Sequence, residues 1–316
     1  LIIFGPVPSR RLGRSLGVNN IPFKHCSYSC CYCQLGAAGK KSDERRAFYA
    51  PETISQLVTA KLARLDQASE SVDYLTLVAD GEPSLDLNLG QTIETLKKTG
   101  VKVAVISNAS LIWRPDVRDD LSRADWVSLK VDSVSRTVWR RLNAPTPTLR
   151  LEKILAGMEE FVKYYRGFLA TETMLIDDGD DSPELVETTA QFLEKLRPAR
   201  AYLAVPVRPP ARKWVQIPSV EKVNFTFQIF SKYLKRVELL THLEEGQFTC
   251  LGDLKNELLK TTAVHPLTKS AIQNLLDRHH ADWRIINELL AGELIREVDY
   301  QGDHFYIRNW NQTPPG

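Results

Sequence analysis

The chain has 316 residues, 43% of them hydrophobic and 25% charged, with a formal net charge of +2. That length can bury one large core plus a smaller second domain, and the near-neutral balance makes no electrostatic case for nucleic acid or a membrane surface. No apolar run approaches the roughly 20 residues that span a bilayer, and the opening "LIIFGPVPSRRLG" is too short and too quickly basic for a signal peptide, so a cytoplasmic location is expected.

In chain order, "SLGVNN" (15–20) reads as the first strand, and a cysteine-rich loop follows it. A helix is expected over about 51–66, with a Pro and an acid near its start. "VDYLTLVADGEP" (72–83) reads as a buried strand running into a turn, 88–99 as a helix and "VKVAVISN" (101–108) as the next strand. A helix near 115–123 leads to the strand "DWVSLKVD" (125–132). Helical patterns at 134–143 and 148–164 precede the strand "FLATETMLI" (168–176). Ser182, Pro183 and Glu184 are placed to start a helix reaching about 196, and "AYLAVPV" (201–207) is the sixth strand.

Repeated strand–helix units imply a parallel sheet with right-handed crossovers. The fold class expected is α/β, a partial (β/α)6 barrel over 1–217 whose chemistry sits at the C-terminal strand ends. Residues 218–260 read as a helical connector, a long helix over about 219–236 followed by a strand-like "RVELLTHL". Residues 261–316, with "LTKSAIQNLL", "DWRIINELLAGELI" and a hairpin around "DYQGDH", read as a mainly helical, winged-helix-like domain. From 261 to 310 that domain carries five Lys and Arg against seven Asp and Glu. A phosphate-binding face is normally basic, so packing or protein docking is the expected role.

Four of the five cysteines fall within "CSYSCCYC" (26–33), which favours metal binding over a disulfide framework. Cys26, Cys30 and Cys33 form CxxxCxxC, and three thiolates on one short loop suit three irons of a cubane cluster with the fourth iron open. Zinc is the rival, but structural zinc usually takes four ligands in separated pairs, and Cys250 and the six histidines supply no second pair. Cys31 could replace one ligand at a spacing that fits neither pattern well.

The loop "CSYSCCYCQ" resembles the cluster-binding loop of the radical S-adenosylmethionine (radical SAM) superfamily, and the resemblance runs over roughly 1–215. "DGEP" (80–83) is similar to that superfamily's Gly-Gly-Glu motif, with Asp80 in place of the first Gly. "GPVPSRRLGRSLGVN", "CQLG" and "PVRPP" resemble the wyosine-synthase-like iron–sulfur oxidoreductase branch. The resemblance implies a [4Fe–4S] cluster on Cys26, Cys30 and Cys33 and S-adenosylmethionine (SAM) chelating the open iron. Around SAM it implies Asp80, Gly81 and Glu82 near the methionine ammonium, Ser107 and Asn108 at ribose hydroxyls or the carboxylate, and Lys130 and Asp132 at the carboxylate and a ribose hydroxyl. Tyr32 is implied beside adenine. The plainer alternatives are that Ser107 and Asn108 form an ordinary turn, that Glu82 does loop chemistry, and that Lys130 pairs with Asp132.

Arg10, Arg11, Arg14, Arg140, Arg141, Arg208, Arg212 and Lys213 are candidates to meet an anionic substrate. "DDGDDS" (177–182) offers four aspartates, more simply read as helix N-terminal acids than as a metal site. The expected function is reductive SAM cleavage to a 5′-deoxyadenosyl radical that attacks an RNA base, a protein or peptide, or an anionic metabolite. A flavodoxin- or ferredoxin-type electron donor is implied. Wyosine formation itself ranks low, because the second cysteine set of wyosine-type synthases is missing. The alternative is an iron–sulfur redox sensor with a winged-helix partner- or DNA-binding domain; it has no need of "DGEP", "SN" and "KVD" at successive strand ends.

Overall fold

The structure, a computed structural model, describes residues 2–37, 41–78, 80–177, 182–242 and 253–309. Its frame is an eight-stranded sheet with strands in sequence order. β1 (Ile3–Ser9) pairs antiparallel with β2 (Gly13–Val18), and every later pairing in the sheet is parallel. α1 (Pro51–Gln67), β3 (Tyr74–Leu77), α2 (Leu89–Lys97), β4 (Lys102–Ser107) and α3 (Pro115–Ser122) build the first half of the series. β5 (Trp126–Lys130), α4 (Arg136–Asn143), α5 (Leu151–Tyr164), β6 (Phe168–Met174), α6 (Pro183–Leu196) and β7 (Arg200–Ala204) build the second. α7 (Val220–Tyr233) and β8 (Val237–Leu240) complete the sheet, which curls into a half-barrel with helices outside.

Local sequence accounts for these elements. Leu75, Leu77, Val103, Val105, Val127 and Leu129 are wholly buried, as expected of parallel strands packed against an outer helical layer. α1 opens with Pro51 and the acidic Glu52, and turns Ile54, Val58 and Leu65 onto the sheet. At Gly157 of α5 an added Cβ would stand 2.6 Å from the Trp113 backbone, so only glycine allows that helix to seat. Ser182 occupies the N-cap of α6 as expected, although its side chain makes no capping hydrogen bond.

β1 lies outside the expected six strands. It occupies the opening segment, where Pro6 and Pro8 blur the strand pattern; prolines are tolerated because this is an edge strand with a register shift between Phe4 and Val7. Within the strand-like "RVELLTHL", Val237–Leu240 form β8 and pair with β7, so the stretch 218–260 adds a strand to the barrel sheet as well as a helix.

The C-terminal elements are α8 (Leu254–Val264), β9 (Leu267–Thr268), α9 (Lys269–Arg278), α10 (Arg284–Ala291), β10 (Ile295–Tyr300) and β11 (Asp303–Arg308). The helices and hairpin expected from the sequence are present, and the three strands form an antiparallel sheet in the order β10–β11–β9. Their core, including Leu258, Ile272, Leu276, Ile286 and Leu289, is continuous with Phe4 and Val7 of β1. Further ties are Lys61 to Glu257 at 3.5 Å and the Tyr300 hydroxyl donating to the Pro206 carbonyl at 2.7 Å. These elements therefore meet the half-barrel both at its β1 edge and at the segment after β7. Among the described residues no helix is long and apolar enough to cross a membrane.

Candidate active site

The cysteine loop leaves β2 and is clasped from three sides. Lys24 N–H donates to the Asp80 carbonyl at 2.5 Å, and Glu82 N–H to the His25 carbonyl at 2.9 Å. Ser29 and Cys31 N–H donate to the carbonyls of Asn143 and Leu142 at the end of α4, and Arg212 N–H donates to the Cys31 carbonyl. At Gly81 a Cβ would fall 1.7 Å from the His25 carbonyl oxygen, so the "DGEP" turn packs directly on the cysteine loop and glycine is obligatory there.

The four thiols differ in their surroundings. Cys31 is buried in an apolar cluster with Val138, Leu142, Ile176 and Val215. Cys26 accepts hydrogen bonds from the Asn108 side-chain amide and from Tyr28 N–H, each at 3.5 Å, and Cys30 accepts one from the Asn143 amide at 3.5 Å. Burial, reinforced by the neighbouring thiols, pushes Cys26 well above its ordinary range and Cys30 up to about 12; burial also raises Cys33. Metal charge reverses that penalty, because coordinated thiols are deprotonated. The three sulfurs do not all lie within 4.8 Å of one another. Thiolates sharing one zinc at about 2.3 Å stand roughly 3.8 Å apart, so this all-sulfur set fits a multi-iron cluster better than a single zinc ion.

Glu82, on the turn after β3, is fully buried and accepts from Ser107 Oγ at 2.7 Å, Ser84 N–H at 2.9 Å and Asn108 N–H at 2.6 Å. Burial raises its carboxyl pKa, and these donors partly offset the rise. Ser107 Oγ also accepts from Ala109 N–H, and the Asn108 side chain donates to Ser27 and accepts from Ser110 N–H. In this structure Glu82, Ser107 and Asn108 are thus brought together as expected, but their side chains are engaged with each other and with the cysteine loop. Asp80 is only 2% exposed; its Oδ2 accepts from Asn19 at 3.2 Å, while Oδ1 has no hydrogen-bond partner. Burial lifts Asp80 to about 7.

Beyond β5 the chemistry is ionic. Lys130 Nζ lies 2.8 Å from Glu172 Oε1, 3.6 Å from Asp132 Oδ1 and 4.9 Å from the centre of the Tyr32 ring. Burial opposes the Lys130 charge, but Asp132 and Glu172 outweigh it and hold its pKa above the ordinary value. Asp132 accepts from the Tyr32 hydroxyl, from the Asn143 amide at 2.6 Å and from Met174 N–H at 2.9 Å. Glu172, on β6, also pairs with Arg11. Although burial works against its charge, Lys130 and Arg11 bring its carboxyl down to about 2. Sequence reasoning missed Glu172, whose signal was an acid in the otherwise strand-like "FLATETMLI".

A cavity of ≈ 360 Å³ lies here, lined among others by Tyr32, Cys33, Asp80, Gly81, Lys130 and Glu172, whereas Cys26, Cys30, Glu82, Ser107, Asn108 and Asp132 are not on its lining. Arg10, Arg11 and Arg208 also face it; Arg14, Arg140, Arg141, Arg212 and Lys213 do not. Of the "DDGDDS" acids, three lie outside the described residues, as does Cys250.

A half-barrel with three thiols on one loop beside a cavity at its C-terminal strand ends has the architecture of an α/β barrel enzyme. A family model for the radical SAM superfamily matches residues 20–192, and the chain belongs to that superfamily. Membership implies SAM and an iron–sulfur cluster as cofactors. The chain is similar to a UPF0026 protein of Methanocaldococcus jannaschii, 43% identical over 311 residues, covering 98% of this chain and 96% of the relative. The fold is similar to TYW1 with a lysine–pyruvate adduct bound, at TM-score 0.55 and 16% identity, covering 70% of this chain and 74% of that one. It is also similar to Streptococcus suis SuiB bound to S-adenosylmethionine, at TM-score 0.52 and 13% identity, covering 72% of this chain and 49% of that one.

Proposed function

We propose that the protein cleaves SAM reductively at a single [4Fe–4S] cluster held by Cys26, Cys30 and Cys33. The observation that carries this reading is the spread of three half-buried thiols on a loop clasped at the cavity mouth, with Cys31 buried beside them in apolar packing. When bound, the cluster and SAM together supply one-electron chemistry, with methionine and a 5′-deoxyadenosyl radical as products of SAM cleavage.

The chain's own residues hold and tune that centre. Amide donors from Asn108 and Asn143 to Cys26 and Cys30 stabilise thiolate charge, a known lever on cluster potential. Gly81 lets the "DGEP" backbone approach the loop, leaving main-chain groups to meet the SAM ammonium. Glu82, Ser107 and Asn108 position that turn. Tyr32 is fixed through its hydroxyl to Asp132, so its ring face is the part offered to adenine. Lys130, oriented by Glu172, supplies fixed positive charge for the SAM carboxylate. The redox-sensor reading is not favoured, since it leaves this constellation without a task.

The test is anaerobic cluster reconstitution followed by dithionite and SAM, with 5′-deoxyadenosine measured by chromatography. Product is expected from the native chain and from Cys31→Ala, and none from Cys26→Ala, Cys30→Ala or Cys33→Ala. No product from a fully loaded native chain would overturn the reading.

A further inference from the structure

We propose that the rim of the cysteine loop, with Lys24, Lys41 and Arg296 as its charges, docks an acidic one-electron carrier protein. The inference deepens the radical SAM reading and rests on it for the need of an electron at the thiols: the carrier is oxidised by one electron and the cluster is reduced by one.

The two lysines straddle the thiols, and both are held by main-chain carbonyls. Lys24 Nζ donates to the Ala37 carbonyl at 2.9 Å, beside the turn closed by Gly36 N–H on the Cys33 carbonyl at 3.0 Å. Lys41 Nζ donates to the carbonyls of Ala144 and Pro145 at 2.7 and 3.0 Å, just past Asn143, whose amide meets Cys30. Ser42 N–H, the next residue, donates to the Cys26 carbonyl at 3.1 Å. A carbonyl fixes an ammonium without neutralising it, so both charges are kept. Of the acids on this segment, Glu44 pairs with Arg46 at 2.6 Å and Asp43 accepts from Thr148 at 2.6 Å. With Arg296, the rim sets four cations (Lys24, Lys41, Arg46, Arg296) against those two acids.

Arg296 joins the lysines from the C-terminal hairpin. Side chains alternate along β10, and Glu297 and Asp299 share the face on which they meet His304, at 3.1 and 2.5 Å. Arg296 falls on the other face with Val298 and Tyr300, and the Tyr300 hydroxyl reaches the Pro206 carbonyl of the barrel. The charged groups that act on Lys24 are Cys33 and Arg296, so this face of the hairpin lies beside the cysteine loop. A region with more acids than bases thus turns its acids aside and brings an exposed arginine to the thiols.

Electron-transfer encounters bury little surface and are steered by charge, so a few uncompensated cations beside the acceptor suffice. The three thiols are half-buried, which leaves their loop within reach of a partner laid over Lys24 and Lys41. A nucleic acid suits the rim less well, because residues 261–310 carry five Lys and Arg against seven Asp and Glu.

The test uses the full chain with its cluster reconstituted and an acidic plant-type [2Fe–2S] ferredoxin. Calorimetry reads binding of the oxidised ferredoxin, and anaerobic stopped-flow reads cluster reduction by the reduced one, each at low and high ionic strength. Both should weaken steeply with salt in the native chain. Arg296→Glu should slow reduction about tenfold at low salt, and Lys24→Gln and Lys41→Gln about threefold each, with a flatter salt dependence. Reduced methyl viologen, a small cation, should reduce every variant no more slowly than the native chain. Arg296 is exposed, so its variant reads the face even where a lysine variant fails to fold. Lys232→Gln, on α7, should behave like the native chain. Native-like binding by Arg296→Glu, salt-independent reduction, or binding of an oligonucleotide where ferredoxin does not bind would overturn the proposal. So would a lysine variant whose cluster midpoint potential shifts while ferredoxin affinity stays native, since the lysines would then tune the cluster. Reduction by ferredoxin in a native chain that makes no 5′-deoxyadenosine would leave the docking face standing while the radical reading failed; SAM cleavage with dithionite but no ferredoxin binding would do the reverse.

Discussion

On the β3–β4 side of the cavity, Glu82 gathers Ser84, Ser107 and Asn108 around one buried carboxylate, whereas on the β5–β6 side Lys130, Arg11, Glu172 and Asp132 form a chain of charges. Both sides sit at C-terminal strand ends, yet they solve different problems. The first holds loop geometry with uncharged donors around one acid, and brings Gly81 and Asn108 against the cysteine loop. The second keeps a permanent field beside the Tyr32 ring. Position along a barrel strand tells which residues gather at the mouth; the partners each side chain finds decide whether it frames the site or projects charge into it.

The sharpest way to break that comparison is to remove one acid from each side. Glu172→Gln leaves Lys130 and Arg11 facing each other with their shared counter-charge gone, at a cost of about 3–5 kcal/mol in denaturant unfolding. The same pairing should appear in acid. Because Glu172 is held near about 2 against an ordinary 4.5, its stabilisation is fully present above pH 4.5 and is lost as pH falls toward about 2. The loss should be about 3 kcal/mol, and should be absent from Glu172→Gln.

Glu82→Gln should cost less, about 2 kcal/mol, since the isosteric amide keeps one acceptor and misplaces its N–H groups against the donors of Ser84, Ser107 or Asn108. If it costs more than Glu172→Gln, the division into an uncharged frame and a charged wall is wrong. Asp80→Asn is expected to act with the opposite sign. Its raised pKa means that stability is fully present below the ordinary 3.8 and is lost as pH rises through about 7. The substitution should therefore stabilise the chain at pH 8.5, by up to about 4 kcal/mol in denaturant unfolding, and leave it unchanged near pH 3.

Much of this was legible in the residues. The strands from β2 to β7 and the helices between them follow the alternation of apolar runs with amphipathic segments, and spacing alone sets the proposed ligands Cys26, Cys30 and Cys33 apart from Cys31. β1 was hidden because Pro6 and Pro8 dilute an edge strand; β8 was visible as the strand-like "RVELLTHL", but its place in the barrel sheet was not, because it follows a long helix after the pattern changes at Pro218. Within the site, sequence order placed Glu82, Ser107 and Asn108 together, but hydrogen-bond partners depend on side-chain direction, which order alone does not encode. Glu172 and His265 were missed for different reasons. Glu172 stood visible as an acid in a buried strand, whereas His265 lines the cavity from the junction of α8 and β9, a long-range approach that no local pattern announces.

The central claim, that three thiolates hold a cluster whose remaining iron is open to SAM, is tested most directly by electron paramagnetic resonance of the reconstituted, dithionite-reduced chain with SAM labelled at its amino nitrogen. The account predicts a nitrogen hyperfine coupling on the cluster signal in the native chain and in Cys31→Ala. A fully loaded, reduced cluster whose signal is unchanged by labelled SAM would contradict it.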